Sequence, residues 1–120
     1  MNALLKIATK QAVKSSVRCK HGAVVARGGS VLSVAHNSYD THPRWGHKPT
    51  YSIHAEAAAI RKAVQKGIDL RGTTITVVRT GNINQMSRPC KACQMLIAEY
   101  GIRKVRYTDE LGNVITEYPL

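Results

Sequence analysis

The chain has 120 residues, 43% of them hydrophobic, and carries a formal net charge of +11. That is enough chain for one domain, residues 1–120, whose core needs no disulfide support. No apolar run approaches the roughly 20 residues of a membrane helix, and the charge implies attraction to polyanions or phosphorylated molecules without choosing among them.

Leu4, Leu5, Ala8, Ala12 and Val13 recur at helical spacing, with Lys6, Lys10 and Lys14 on the other side. This predicts a first amphipathic helix, closed by Ser15-Ser16. The same lysines interrupt any signal-peptide core. Two β-rich runs follow, Ala23-Val24-Val25-Ala26 and Val31-Leu32-Ser33-Val34-Ala35. Gly28-Gly29 between them gives a tight hairpin, because positive φ is open to both residues. Residues 36–52 then form a long connection with Pro43, Pro49 and the rings of Tyr39, Trp45, His47 and Tyr51. Connections this long tend to be functional.

From His54 to Lys66 the chain is apolar on most sides, the pattern of a helix buried against a sheet, with Gly67 as its C-terminal stop. Thr73 to Val78 is a β-branched strand and Thr80 to Arg88 a polar loop. Pro89 marks the start of a last helix, in which Cys93, Leu96, Ile97 and Tyr100 share a face and Gly101 ends the run. Residues 104–107 and 114–117 read as a closing hairpin. The order α-β-β-α-β-α-β-β specifies an α/β fold: a mixed sheet with helices packed on it.

Of the 3 cysteines, Cys90 and Cys93 stand at metal spacing and Cys19 is left over, read as a small buried apolar side chain. An odd count without a secretory leader favours a reducing cytoplasm. Cys90 and Cys93 fall on one face of the last helix, in its first turn, where the helix dipole favours the thiolate. His54 adds an imidazole. Together the three make a zinc site that leaves its fourth position open, as catalytic sites do. A purely structural zinc would need a fourth protein ligand, for which His36, His42 and His47 are available. Glu56 is the carboxylate that would move protons beside the metal. Two residues along a helix is a rotation of about 200°. His54 and Glu56 can therefore cooperate only if His54 stands at the very start of its helix, outside regular geometry.

His54-Ala55-Glu56 followed by Pro89-Cys90-Lys91-Ala92-Cys93 resembles the zinc-deaminase pattern of the cytidine and deoxycytidylate deaminase superfamily, which includes tRNA adenosine deaminases and polynucleotide cytosine deaminases. The resemblance covers roughly residues 15–107. It extends to His21-Gly22-Ala23-Val24-Val25, to Ala35-His36-Asn37, and to a run from Leu96 to Tyr107 that looks most like deoxycytidylate deaminases. It implies a three-layer α-β-α fold around a mixed five-stranded sheet, and zinc on His54, Cys90 and Cys93 with Glu56 as the catalytic proton shuttle. It further implies Asn37 on the sugar, the Ala55 N–H on the base carbonyl, the Arg88 carbonyl on the exocyclic amine, and Trp45 or Tyr51 stacked on the base. Arg44, Lys48 and Arg88 are the cations available for a 5′-phosphate. Family members commonly assemble, so the resemblance implies a homo-oligomer.

The implied reaction is hydrolytic deamination of a cytosine nucleotide such as dCMP. The alternative is a polynucleotide substrate, cytosine in single-stranded DNA or adenosine in RNA, which the charge of +11 motivates. A third reading is a silent deaminase fold serving as a binding module, against which Glu56 argues. The chain departs from the family's patterns in three places. Its 37–54 loop is intermediate in length and its 79–88 segment is long. A terminal antiparallel hairpin is similar to that of free-nucleoside cytidine deaminases, which usually have Cys rather than His in the first motif.

Overall fold

The computed structural model describes residues 3–15, 19–39, 52–80 and 85–118. Trp45, Tyr51, Arg44, Lys48, His42 and His47 lie outside these described residues. The elements are α1 (Ala3–Val13), β1 (Lys20–Arg27), β2 (Ser30–His36), β3 (Ser38–Tyr39), β4 (Ser52–Ile53), α2 (Ala55–Gln65), β5 (Thr74–Thr80), α3 (Lys91–Glu99), β6 (Lys104–Thr108) and β7 (Val114–Glu117).

Five strands form one sheet in the order β2-β1-β5-β6-β7. β1 is antiparallel to both β2 and β5, β5 is parallel to β6, and β6 closes an antiparallel hairpin with β7. The mixed sheet and its terminal hairpin are those the sequence predicts. The two sheet faces carry different cores, because successive residues on a strand point to opposite sides. Val24 and Val78 meet Leu5 and Ala8 of α1 on one face. Ala23, Val25, Ile75 and Val77 meet α2 and α3 on the other. The result is three layers, α-β-α.

Helix α2 seats against the sheet through alanines. Ala55, Ala57, Ala59 and Ala63 are all essentially inaccessible, so helix and sheet approach closely. Both α2 and α3 end in Schellman motifs. Gly67 and Gly101 take φ of 73° and 72°, and the following amides, Ile68 N–H and Ile102 N–H, reach back to the carbonyls of Ala63 and Ile97. At the β1–β2 turn only Gly28 adopts positive φ, so the expectation for Gly29 is not met. That is the pattern of a type II′ turn, which needs it at one position.

At the two ends of the expected long connection after β2, β3 and β4 pair antiparallel. The strand predicted over residues 73–78 runs on to Thr80, because Arg79 and Thr80 pair with His21 and Lys20 of β1. A polar sequence hides that extension, which the register of the neighbouring strand imposes. No helix among the described residues is long and apolar enough to cross a membrane.

Gly22 marks where α1 meets the sheet. A Cβ there would collide with the carbonyl oxygen of Ala8 and crowd the backbone nitrogen of Ala12. Neither is a flexible side chain that could swing away. Gly22→Ala should therefore cost about 1–3 kcal/mol. Urea unfolding should show a lower midpoint at unchanged slope, and a variant as stable as the parent would mean that α1 is not seated this closely.

Candidate active site

Two helix N-termini face a common point. His54 is the N-cap of α2, with extended backbone at φ −68° and ψ 151°. Cys90 is the N-cap of α3, at φ −67° and ψ 167°. Each cap carbonyl already accepts the first helical hydrogen bond, from Ala58 N–H at 3.0 Å and from Gln94 N–H at 2.8 Å. The caps thus turn the chain without losing helical continuity. His54 stands outside the helix, which removes the difficulty of its two-residue spacing from Glu56. Cys90 also precedes the helix rather than sharing its first turn with Cys93, and Pro89 lies one residue before the cap rather than inside the helix start.

His54 Nδ1 lies 3.5 Å from Cys90 Sγ and 3.4 Å from Cys93 Sγ. The three donor atoms all fall within 4.8 Å of one another. A tetrahedral zinc with ordinary Zn–S and Zn–N bonds would place sulfur and nitrogen ligands about 3.5 Å apart. The donor set and its spacing fit that ion. His36, on β2, does not join the cluster, so no fourth protein ligand is assembled among the described residues.

The electrostatics point the same way. Glu56 sits in the first turn of α2 and is only 4% exposed. Burial pushes its carboxyl up to about 7, and the Cys93 thiol is hydrogen-bonded to it. The Cys93 thiol is itself raised, through its hydrogen bond with Cys90, its burial and the nearby Glu56 charge. This opposes the thiolate-favouring effect expected of the helix dipole: close acidic neighbours and lost hydration outweigh a partial charge. Three acids share one small volume, and only a cation could hold them ionised together.

A cavity of about 340 Å³ opens beside the cluster. His54, Ala55, Glu56 and Cys90 form one part of its wall, and Asn37 and Arg88 another. Asn37 is buried and ties two strand ends together: its Oδ1 accepts from His21 N–H at 3.0 Å and its Nδ2 donates to the Cys19 carbonyl at 2.6 Å. Ser15 Oγ donates to the Asn37 carbonyl at 2.8 Å, which fixes the end of α1 to the same point. The Arg88 guanidinium turns to the exposed carboxylate of Glu117 on β7, at 3.2 Å, and Tyr107 Oη donates to that carboxylate at 2.8 Å.

Several wall residues were not legible in the sequence. His21, Arg79, Met86 and Ser87 also line the cavity. Cys19, expected in the core, is instead half-buried on the cavity wall. The alternation Ile75, Val77, Arg79 is the one signal that could have placed Arg79 on this face.

Ser87 anchors the approach to Cys90. Its buried hydroxyl donates to the Val77 carbonyl at 2.8 Å and accepts from Thr108 N–H at 2.7 Å. Ser87→Ala would strand that amide in the core, at about 1–3 kcal/mol. The expected result is a lower thermal midpoint and weaker zinc retention against a chelator. Unchanged retention would show that Ser87 supports only the fold.

The profile of the cytidine and deoxycytidylate deaminase zinc-binding region matches residues 1–109, and the chain belongs to that family. Comparison with curated protein sequences gives no match. Among solved structures the chain is similar to the dCMP deaminase of cyanophage S-TIM5, with 26% identity, TM-score 0.65, and 88% of this chain and 79% of that one covered. The same phage enzyme has been solved with dCMP and dUMP, and matches at 25% identity and TM-score 0.57, over 88% of this chain and 81% of that one. The fold is also that of a cytidine deaminase from Burkholderia pseudomallei, at 23% identity and TM-score 0.76, over 99% of this chain and 94% of that one. The class is thus a zinc-binding deaminase.

Proposed function

We propose that the protein hydrolytically deaminates a cytosine nucleotide, dCMP or a close relative, releasing ammonia and leaving the uracil form. The observation that carries this is the meeting of His54, Cys90 and Cys93 beside one cavity whose wall includes His54, Cys90 and the buried Glu56. His54, Cys90 and Cys93 would hold zinc, which when bound would acidify a water molecule. Glu56 accepts a proton from the attacking water and delivers it to the exocyclic nitrogen as that nitrogen leaves.

The cavity wall supports the substrate contacts. Asn37 binds the sugar, the Ala55 N–H the base carbonyl, and the Arg88 carbonyl the departing amine. Trp45 or Tyr51 stacks on the base. Residues 1–120 act as a single catalytic domain in the cytoplasm, assembled as a homo-oligomer. The phage dCMP deaminase, whose solved complex holds dCMP and dUMP, favours a nucleotide over a free nucleoside.

A second reading, deamination within a single strand of nucleic acid, is favoured by the charge of +11 and by the exposed Lys6 and Lys10 of α1 and Lys14 just after it. A panel of dCMP, deoxycytidine, adenosine-containing RNA and a cytosine oligonucleotide, each assayed for ammonia with zinc-loaded protein, separates the two. Turnover of dCMP supports the first reading; turnover of the oligonucleotide alone replaces it with the second.

A further inference from the structure

We propose that Arg79 is the specificity-determining cation of this cavity, binding the phosphate monoester of the substrate; the proposal rests on the nucleotide-deaminase reading above. Arg79 lies at the end of β5, on the sheet face that Ile75 and Val77 share with α2 and α3. Its register partner on β1 is His21. Both residues line the cavity, and so do His54 and Glu56. The guanidinium is therefore built into the wall that the metal cluster shares, on regular strand backbone rather than a loop.

Among the described residues its hydrogen bonding is incomplete. Nη2 donates to Cys19 Sγ at 3.4 Å, and a thiol sulfur is a weak acceptor. Among the described residues the buried Nε has no hydrogen-bond partner. The contrast with the other arginine of the wall is direct. Arg88 is paired with Glu117, whereas no ion pair to Arg79 is found among the described residues. A partly buried cation with an orphaned donor is costly to keep unless something anionic completes it.

Glu56 is a carboxylate of the same cavity wall, yet it makes no ion pair with Arg79. His21, the register partner of Arg79 on β1, brings no negative charge either. The occupant must bring its own negative charge. A terminal phosphate, dianionic near neutral pH, matches the planar fork of a guanidinium in charge and geometry. An internucleotide phosphate carries the same chemistry with less charge and continues in both directions. The position of Arg79 inside a cavity of about 340 Å³ favours the terminal group.

The test compares dCMP with deoxycytidine on zinc-loaded protein carrying Arg79, Arg79→Lys or Arg79→Gln. Loss of a charge-assisted hydrogen-bonding pair corresponds to about 10- to 100-fold in affinity. Arg79→Gln should lower kcat/KM for dCMP by about that factor, chiefly through KM, while deoxycytidine turnover changes little. Arg79→Lys should restore part of the preference. Inorganic phosphate should compete with dCMP and raise the thermal midpoint of the parent but not of Arg79→Gln. An equal fall for both substrates, with the ratio kept in Arg79→Lys, would overturn the proposal and leave Arg79 a structural residue. Arg79-dependent turnover of a cytosine oligonucleotide, with dCMP inert, would overturn the terminal-phosphate assignment. If the parent turns over neither small substrate, the nucleotide-deaminase reading fails. The phosphate-induced thermal shift, lost in Arg79→Gln, would then still support the anion site on its own.

Discussion

Glu56→Gln should lower turnover by about 10²- to 10⁴-fold while the protein stays folded and keeps its zinc. The substitution preserves shape at a position only 4% exposed, so packing against α2 and the sheet is retained. It removes the one group placed to carry a proton between water and the leaving amine. Zinc content measured alongside turnover separates this effect from loss of the metal. A Gln variant with near-parental rates would show that the proton takes another route and would remove Glu56 from the mechanism.

Cys93→Ala should have the opposite signature, with metal and activity lost together. Cys93 is fully buried and stands 3.4 Å from His54 Nδ1, so no side chain from solvent can replace it. A ligand held at 1,000 times its dissociation constant stabilises the native state by about 4 kcal/mol. For a chain of this length that corresponds to a thermal midpoint about 10–20 °C higher. Parent protein should therefore lose that increment when stripped by a chelator. Cys93→Ala should melt near the stripped parent and show no response to added zinc. A parent that melts at the same temperature with and without chelator would mean that the cluster does not hold a metal.

The elements that carry strong periodicity were legible in the sequence. Apolar residues at helical spacing predict α1, and the alanine-rich run after His54 predicts α2 together with the glycine that stops it. The turn at Gly28 and the terminal hairpin follow from glycine placement and β-branched runs. The His54 and Cys90 stretches were legible because residue type and spacing are themselves the chemistry of a zinc ligand set. Their backbone setting was less so. That both His54 and Cys90 are N-caps depends on where two helices begin, and helix boundaries follow from tertiary packing more than from local propensity.

The cavity wall was the least legible part. Cys19, His21 and Arg79 come together only because β1 pairs with β5 in a particular register. A polar segment after Val78 reads as loop until a neighbouring strand gives its amides partners. Asn37 illustrates the same dependence. Its side chain holds Cys19 and His21 in place through hydrogen bonds that no local pattern announces.

The most direct test of the central claim is one assay on one sample: zinc per chain and ammonia released from dCMP, measured before and after chelation and after zinc is returned. One zinc per chain, ammonia in step with zinc content, and recovery on reloading are expected. Full-rate ammonia release from chelated, zinc-free protein would contradict the claim, as would a protein that takes up one zinc and releases no ammonia from any cytosine or adenine substrate.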